Sequence, residues 1–110
     1  MQVTIRELAA ADIDAAVAYY RSEATTAVAY DFVKSLEAAV GHLQKHPLTG
    51  SLRFAFELGI PNLRSWPLAK FPYLIFYVPA GSQTDIWRVL HAKRDIPTFL
   101  APNPNVAPLV

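Results

Sequence analysis

The feature that most limits what this chain can fold into is a change of period at Pro47 and Gly50. Before it, Ala29, Phe32, Val33, Leu36, Val40 and Leu43 recur at spacings of three and four, opposite Asp31, Lys34, Glu37 and Lys45. That is the apolar stripe of an amphipathic helix. Ser22 or Thr25 is placed to cap its start, and Pro47 with Gly50 must end it. A shorter helix precedes it. From Asp12 to near Ser22, the residues Ile13, Ala16, Val17 and Tyr20 share one face, with Asp12 and Asp14 in a first turn where the helix dipole favours anions. Two helices this close in sequence form an antiparallel hairpin.

Beyond Gly50 the texture turns aromatic and β-branched, broken by proline and glycine, which is the pattern of short strands and turns. Residues 52–58 and 63–68 read as strands joined by a turn at 59–62, with Pro67 suiting an edge or a bulge. The run Y-L-I-F-Y-V at 73–78 is apolar throughout, as expected of a central strand covered on both faces. A hairpin turn at 79–82 leads to a partner strand at 84–91, where Ile86, Arg88 and Leu90 alternate with Asp85, Trp87, Val89 and His91. At the other end of the chain, residues 3–8 alternate Val3 and Ile5 with Thr4 and Arg6, a half-buried first strand. The order predicts an α+β domain: an N-terminal strand, then an antiparallel helical hairpin packed on a three- to four-stranded antiparallel sheet. The sheet's other face is expected to be partly open and to carry basic side chains. Residues 1–100 form one domain, since 110 residues fall well short of the length at which chains divide, and the proline-rich segment 101–110 reads as an extended or mobile tail.

Composition narrows the function classes. Charged residues make up only 17% and hydrophobic residues 53%, an apolar balance for a domain of this size. Two accounts fit: an alanine-rich stretch over 9–39 that inflates the count, or surface reserved for a partner. No apolar run approaches the ~18 uncharged residues of a membrane span, so no membrane association is expected. The opening MQVTIREL lacks a basic segment followed by an apolar one, and the chain has no cysteine. Disulfides and thiolate metal sites are thereby impossible, which suits the cytoplasm. Charge is uneven, net −2 over residues 1–50 and net +3 over 51–110, within a total of +1.

The densest set of titratable groups is R-V-L-H-A-K-R-D at 88–95, where the last strand ends. With Arg64 on a neighbouring strand, Arg64, Arg88, His91 and Arg94 are expected to meet on one concave surface able to hold an anion. The alternative is that Asp95 pairs with an arginine to close the strand end while His91 packs. His42 and His46 stand four apart on a helix, but no third ligand accompanies them, and neither metal nor other cofactor is expected. No glycine-rich phosphate loop, no G-x-S-x-G and no fixed carboxylate pair occurs. Tyr19, Tyr20, Tyr30 and Phe32 read first as helix-packing residues.

Taken in order, A-x-x-D-I-D-A-A-V-x-Y-Y from Ala9, A-x-x-F-x-x-x-L from Ala29, L-x-x-H-P-L-T-G from Leu43, I-P-N-L-R from Ile60, K-F-P-Y-L-I-F-Y from Lys70 and R-V-L-H-A-K-R-D-I from Arg88 resemble the ParE and RelE toxin superfamily, closest to ParE. The resemblance spans the chain to about Leu100. It implies the toxin of a type II toxin-antitoxin pair, neutralised by a ParD-like antitoxin whose C-terminal segment folds onto it, which would account for the excess apolar surface. ParE-like members poison DNA gyrase and need no catalytic group of their own. RelE-like members cut messenger RNA on the ribosome. Cutting RNA needs a base, an acid and cationic stabilisation, for which Arg64, Arg88, His91 and Glu57 are the candidates here. The tyrosine that RelE-like nucleases often carry after the last strand is replaced here by R-D-I-P at 94–97, and a net charge of +1 is low for ribosome binding. The gyrase-directed, non-enzymatic reading is therefore preferred, with an endoribonuclease or an inactive binding module of the same fold as alternatives. Its functional surface would be drawn from Arg64, Arg88, His91, Lys93, Arg94 and Asp95, and its antitoxin contacts from Tyr19, Tyr20, Phe54, Phe56, Trp66 and Trp87.

Overall fold

The computed structural model describes residues 2–100. The elements run β1 Gln2–Ile5, α1 Glu7–Glu23, α2 Thr26–Lys45, α3 Arg53–Leu58, β2 Arg64–Pro67, β3 Tyr73–Ala80, β4 Gln83–His91 and α4 Ile96–Leu100. The sheet order is β1-β4-β3-β2. The expected α+β architecture stands, with a mixed sheet in place of a purely antiparallel one, because β1 runs parallel to β4 while β2, β3 and β4 pair antiparallel. Periodicity specifies which side chains share a face. It carries no information on strand direction, which here is set by the helical hairpin carrying the chain away from β1 before it returns.

The α1–α2 hairpin lies on one face of the sheet. Phe32, Leu36, Ala39 and Leu43 of α2 and Ala9 and Ala16 of α1 bury against Ile75, Tyr77, Ile86 and Val89. The predicted stripe of α2 is this contact, and Thr25 is its cap, its hydroxyl accepting the Val28 N–H at 3.1 Å. Helix α1 starts five residues earlier than the charge pattern suggested, so Asp12 sits in its second turn rather than at its start.

The segment 52–58, read as a strand, is the helix α3. R-F-A-F-E-L alternates, yet only Phe54 is buried (8% exposed), whereas Phe56 is 83% exposed. A helix turns the two rings to different sides, allows Arg53 to pair with Glu57 at 3.1 Å one turn on, and ends at Gly59, whose left-handed φ of 66° disfavours other residues. The opposite face of the sheet, expected to be partly open, is covered: α3 and α4 close it with a second core of Phe54, Leu63, Phe76, Leu90, Ile96 and Leu100. Helix α4 was not foreseen, because five residues hold too little periodicity to read. Asp95 starts it, accepting the Thr98 hydroxyl at 2.6 Å, and Pro97 occupies the first turn, where a missing N–H costs nothing. The predicted tail at 101–110 lies outside the described residues.

Buried phenols give the fold a directed pH response. Burial raises the Tyr77, Tyr73 and Tyr20 phenols above their ordinary value, with the Gly50 N–H and Arg64 opposing the rise at Tyr77. A raised folded-state value means the unfolded chain ionises first. The stability these groups contribute is full below the ordinary phenol value and is lost as pH rises through the raised ones. The urea midpoint should therefore fall above about pH 10, and fall less steeply in Tyr77→Phe. An equal fall in both chains would remove Tyr77 from the account.

Candidate functional site at the end of the last strand

Strand β4 is irregular where the candidate residues begin. Phe76 pairs with Arg88 but Tyr77 pairs with Ile86, leaving Trp87 as the extra residue of a β-bulge. The simple alternation expected across 84–91 is therefore broken. Ile86 and Val89 both face the helical hairpin, and Trp87 and Leu90 both face the second core. Strand β1 also stops short: Ile5 pairs with Ile86, the Arg6 N–H reaches the Ile86 carbonyl at 2.9 Å, and β4 continues alone.

Asp12 takes the place of the missing strand. Its Oδ2 accepts the Val89 N–H at 3.0 Å, and its two oxygens accept Nε and Nη2 of Arg88, both at 2.8 Å. Both side chains are only 14% exposed. Arg88 also donates from Nη1 to the Phe99 carbonyl at 3.1 Å, so one guanidinium joins α1, β4 and α4. The bond from Asp12 raises the arginine above its ordinary value and outweighs the opposing effect of burial. This pair was invisible in the sequence, where its members stand far apart and nothing marks Asp12 among the other acids of α1.

The four groups expected to converge do not. Arg88, His91 and Arg94 line one cleft of about 120 Å³ together with Asp12, Tyr19, Tyr73 and Phe99. Arg64 is elsewhere, on β2, donating to the Leu48 carbonyl at 2.9 Å and the Gly50 carbonyl at 3.1 Å, so it braces the loop that follows α2. Glu57 is paired with Arg53 on the rim of a different groove between α3 and α4, which Arg94 and Asp95 also border. Asp95 holds the start of α4 and, among the described residues, forms no ion pair with an arginine. His91 lies edge-on to Tyr73 at 5.2 Å, and its Nδ1 accepts the Lys93 N–H at 3.1 Å. Lys93 itself is exposed.

The aromatic candidates scatter over several surfaces. Tyr19 is 57% exposed on α1, while Tyr20 is half-buried among Phe32, Phe71 and Tyr73. Phe54 belongs to the second core, Trp66 stacks on His42 at 4.4 Å, and Trp87 lies beneath the Arg6 guanidinium at 4.5 Å. Arg6 is held there by Asp85 at 2.7 Å. His42 bonds to the Thr49 hydroxyl at 3.0 Å, and among the described residues no group of three or more acidic, His or Cys side chains is placed to hold a metal. Among these residues, too, no helix is long and apolar enough to cross a membrane.

A helical hairpin over one face of a small mixed sheet, with two short helices closing the other, defines an α+β domain. The sequence matches the family described as the ParE toxin of type II toxin-antitoxin system, parDE, over residues 3–96, and the chain belongs to that family. No curated protein matches it. Among solved structures it is similar to "Chromosomal ParDE TA system from P. aeruginosa", with a TM-score of 0.70 and 22% identity over 84% of this chain and 97% of that one. At that identity the likeness speaks for the fold.

Proposed function

We propose that this ParE-family toxin acts by binding rather than by bond cleavage, with DNA gyrase as its target and a ParD-like antitoxin as its cytoplasmic partner. The observation that carries the first part is the dispersal of the would-be nuclease groups. Arg64 serves two loop carbonyls, Arg88 serves Asp12 and Phe99, Glu57 serves Arg53, and only His91 keeps a free position near Arg94. In-line attack on a phosphodiester needs base, acid and charge around one phosphorus, and Arg64 and Glu57 lie outside the cleft that Arg88 and His91 share.

A partner is supported by apolar surface left exposed after both cores are filled. Ile5, Leu8, Tyr19, Tyr30, Leu48 and Phe56 all remain large and accessible. The solved relative is named as a ParDE system, which supports a ParD-like partner here.

The test is a pair of assays on the purified chain, one for supercoiling and DNA cleavage by gyrase and one for messenger RNA in a translating ribosome mixture. Blocked supercoiling with trapped cleaved DNA and intact message is the expected result, reversed by a cognate ParD-like antitoxin. Cut message with unaffected gyrase would reassign the chain as a nuclease.

A further inference from the structure

The cleft between α1 and the end of β4 gathers Arg88, Arg94 and several further hydrogen-bond donors around a small space. Its one acid, Asp12, is neutralised, since Arg88 and the Val89 N–H occupy both carboxylate oxygens. Its remaining charge is Arg94, which has no carboxylate within ion-pair distance among the described residues and lies with its guanidinium 5.2 Å from the Phe99 ring. Stacking on a ring holds a guanidinium in place while leaving its edge N–H groups free to donate.

The other polar groups there are also donors. His91 accepts the Lys93 N–H at Nδ1, so the ring proton of the neutral imidazole is on Nε2. Tyr73 lines the same cleft, and its phenol is an O–H donor at neutral pH. Tyr19 contributes a second hydroxyl from α1. Donors thus come from β3, from the end of β4 and from α1, around a space of about 120 Å³. Pockets for drug-sized ligands run to roughly 300–1,000 Å³, so this one admits a single small group and leaves any larger body outside.

We propose that this cleft is a receptor for one phosphate group, held by Arg94, the Nε2–H of His91 and the Tyr73 hydroxyl. Donors placed on β3, at the end of β4 and in the turn after it suit a tetrahedral oxyanion better than a planar carboxylate, and an arginine with free edge N–H groups suits phosphate in particular. The phosphate has two possible sources, a free nucleotide or the backbone of a nucleic-acid strand.

The experiment is an NMR titration of the full chain with inorganic phosphate at constant ionic strength and neutral pH, following the ring signals of His91 and Tyr73. Both should shift along one saturable curve. Arg94→Gln should weaken binding at least tenfold, His91→Gln should weaken it severalfold, and Lys45→Gln, on the far end of α2, should leave it unchanged. Acetate should bind at least tenfold more weakly than phosphate. A 5′-mononucleotide that binds as well as a single-stranded oligonucleotide of equal phosphate concentration points to a terminal phosphate, and a much tighter oligonucleotide points to a strand. Because Arg94 is exposed, its loss should not unfold the chain, and a retained thermal midpoint in Arg94→Gln serves as the control. Shifts that never saturate, equal binding by acetate, or undiminished binding in a folded Arg94→Gln would each overturn the proposal.

Discussion

Arg88→Ala should lower stability by about 3 kcal/mol, at the lower end of the range for removing one partner of a buried ion pair. The loss has two parts. Asp12 keeps only the Val89 N–H for a carboxylate that is 14% exposed, so most of its charge stays out of water without compensation. The Phe99 carbonyl also loses its donor, which loosens α4 and with it Ile96 and Leu100 of the second core. At roughly 4–8 °C per kcal/mol for a domain near this size, the thermal midpoint should drop by more than 10 °C. Asp12→Ala/Arg88→Ala should cost clearly less than the sum of the two single substitutions, because the double variant leaves no lone charge behind. Hydrogen exchange at 96–100 should quicken more in Arg88→Ala than in Asp12→Ala, since of this pair it is Arg88 that bonds to the Phe99 carbonyl. A loss below about 1 kcal/mol, the range of exposed pairs, would mean that water already solvates Asp12 and that the pair holds little.

Gly50→Ala should be of similar severity, about 3 kcal/mol, through overpacking against a side chain with nowhere to move. A Cβ on Gly50 would overlap the Tyr77 hydroxyl and lie 2.9 Å from two of its ring carbons. Tyr77 is completely buried, and its hydroxyl is fixed on both sides, accepting the Gly50 N–H at 3.0 Å and donating to the Pro47 carbonyl at 2.8 Å. Arg64 holds the same loop from β2. Tyr77→Phe alone should cost about 1–3 kcal/mol by orphaning the Gly50 N–H and the Pro47 carbonyl. Combined with Gly50→Ala it should cost less than the sum, because the hydroxyl is the nearest obstacle to the new methyl. Denaturant unfolding of the four chains completes the cycle. Strict additivity would show that Tyr77 yields and that the strain lies elsewhere in the loop.

Both results turn on contacts that no local pattern announced. Gly50 was legible as a helix stop, but the reason only glycine fits there is a tyrosine on β3, brought in by the packing of α2 on the sheet. Asp12 was legible as an acid favourable near a helix start. Its partner was fixed only when α1 crossed the unpaired end of β4 and the bulge at Trp87 disturbed the alternation that would have fixed where Arg88 points.

Long, strongly periodic segments could be read directly. The stripe of α2, the β3–β4 hairpin and the α+β class all follow from local spacing, since the free energy that decides them is apolar burial repeated along one face, whereas the choice of Thr25 over Ser22 as the cap of α2 was made by the structure. Short segments could not. Six residues of R-F-A-F-E-L fit a strand's alternation and a helix's turn equally well, and the choice was made by Phe54 finding a core beneath the sheet while Gly59 closed the helix. Of the charged cluster at 88–95, the sequence located the place and the residue types. Which of those side chains brace the fold and which remain free to bind was decided by distances across the sheet and along α1, where charge pairs form between elements that the chain connects only through its whole length.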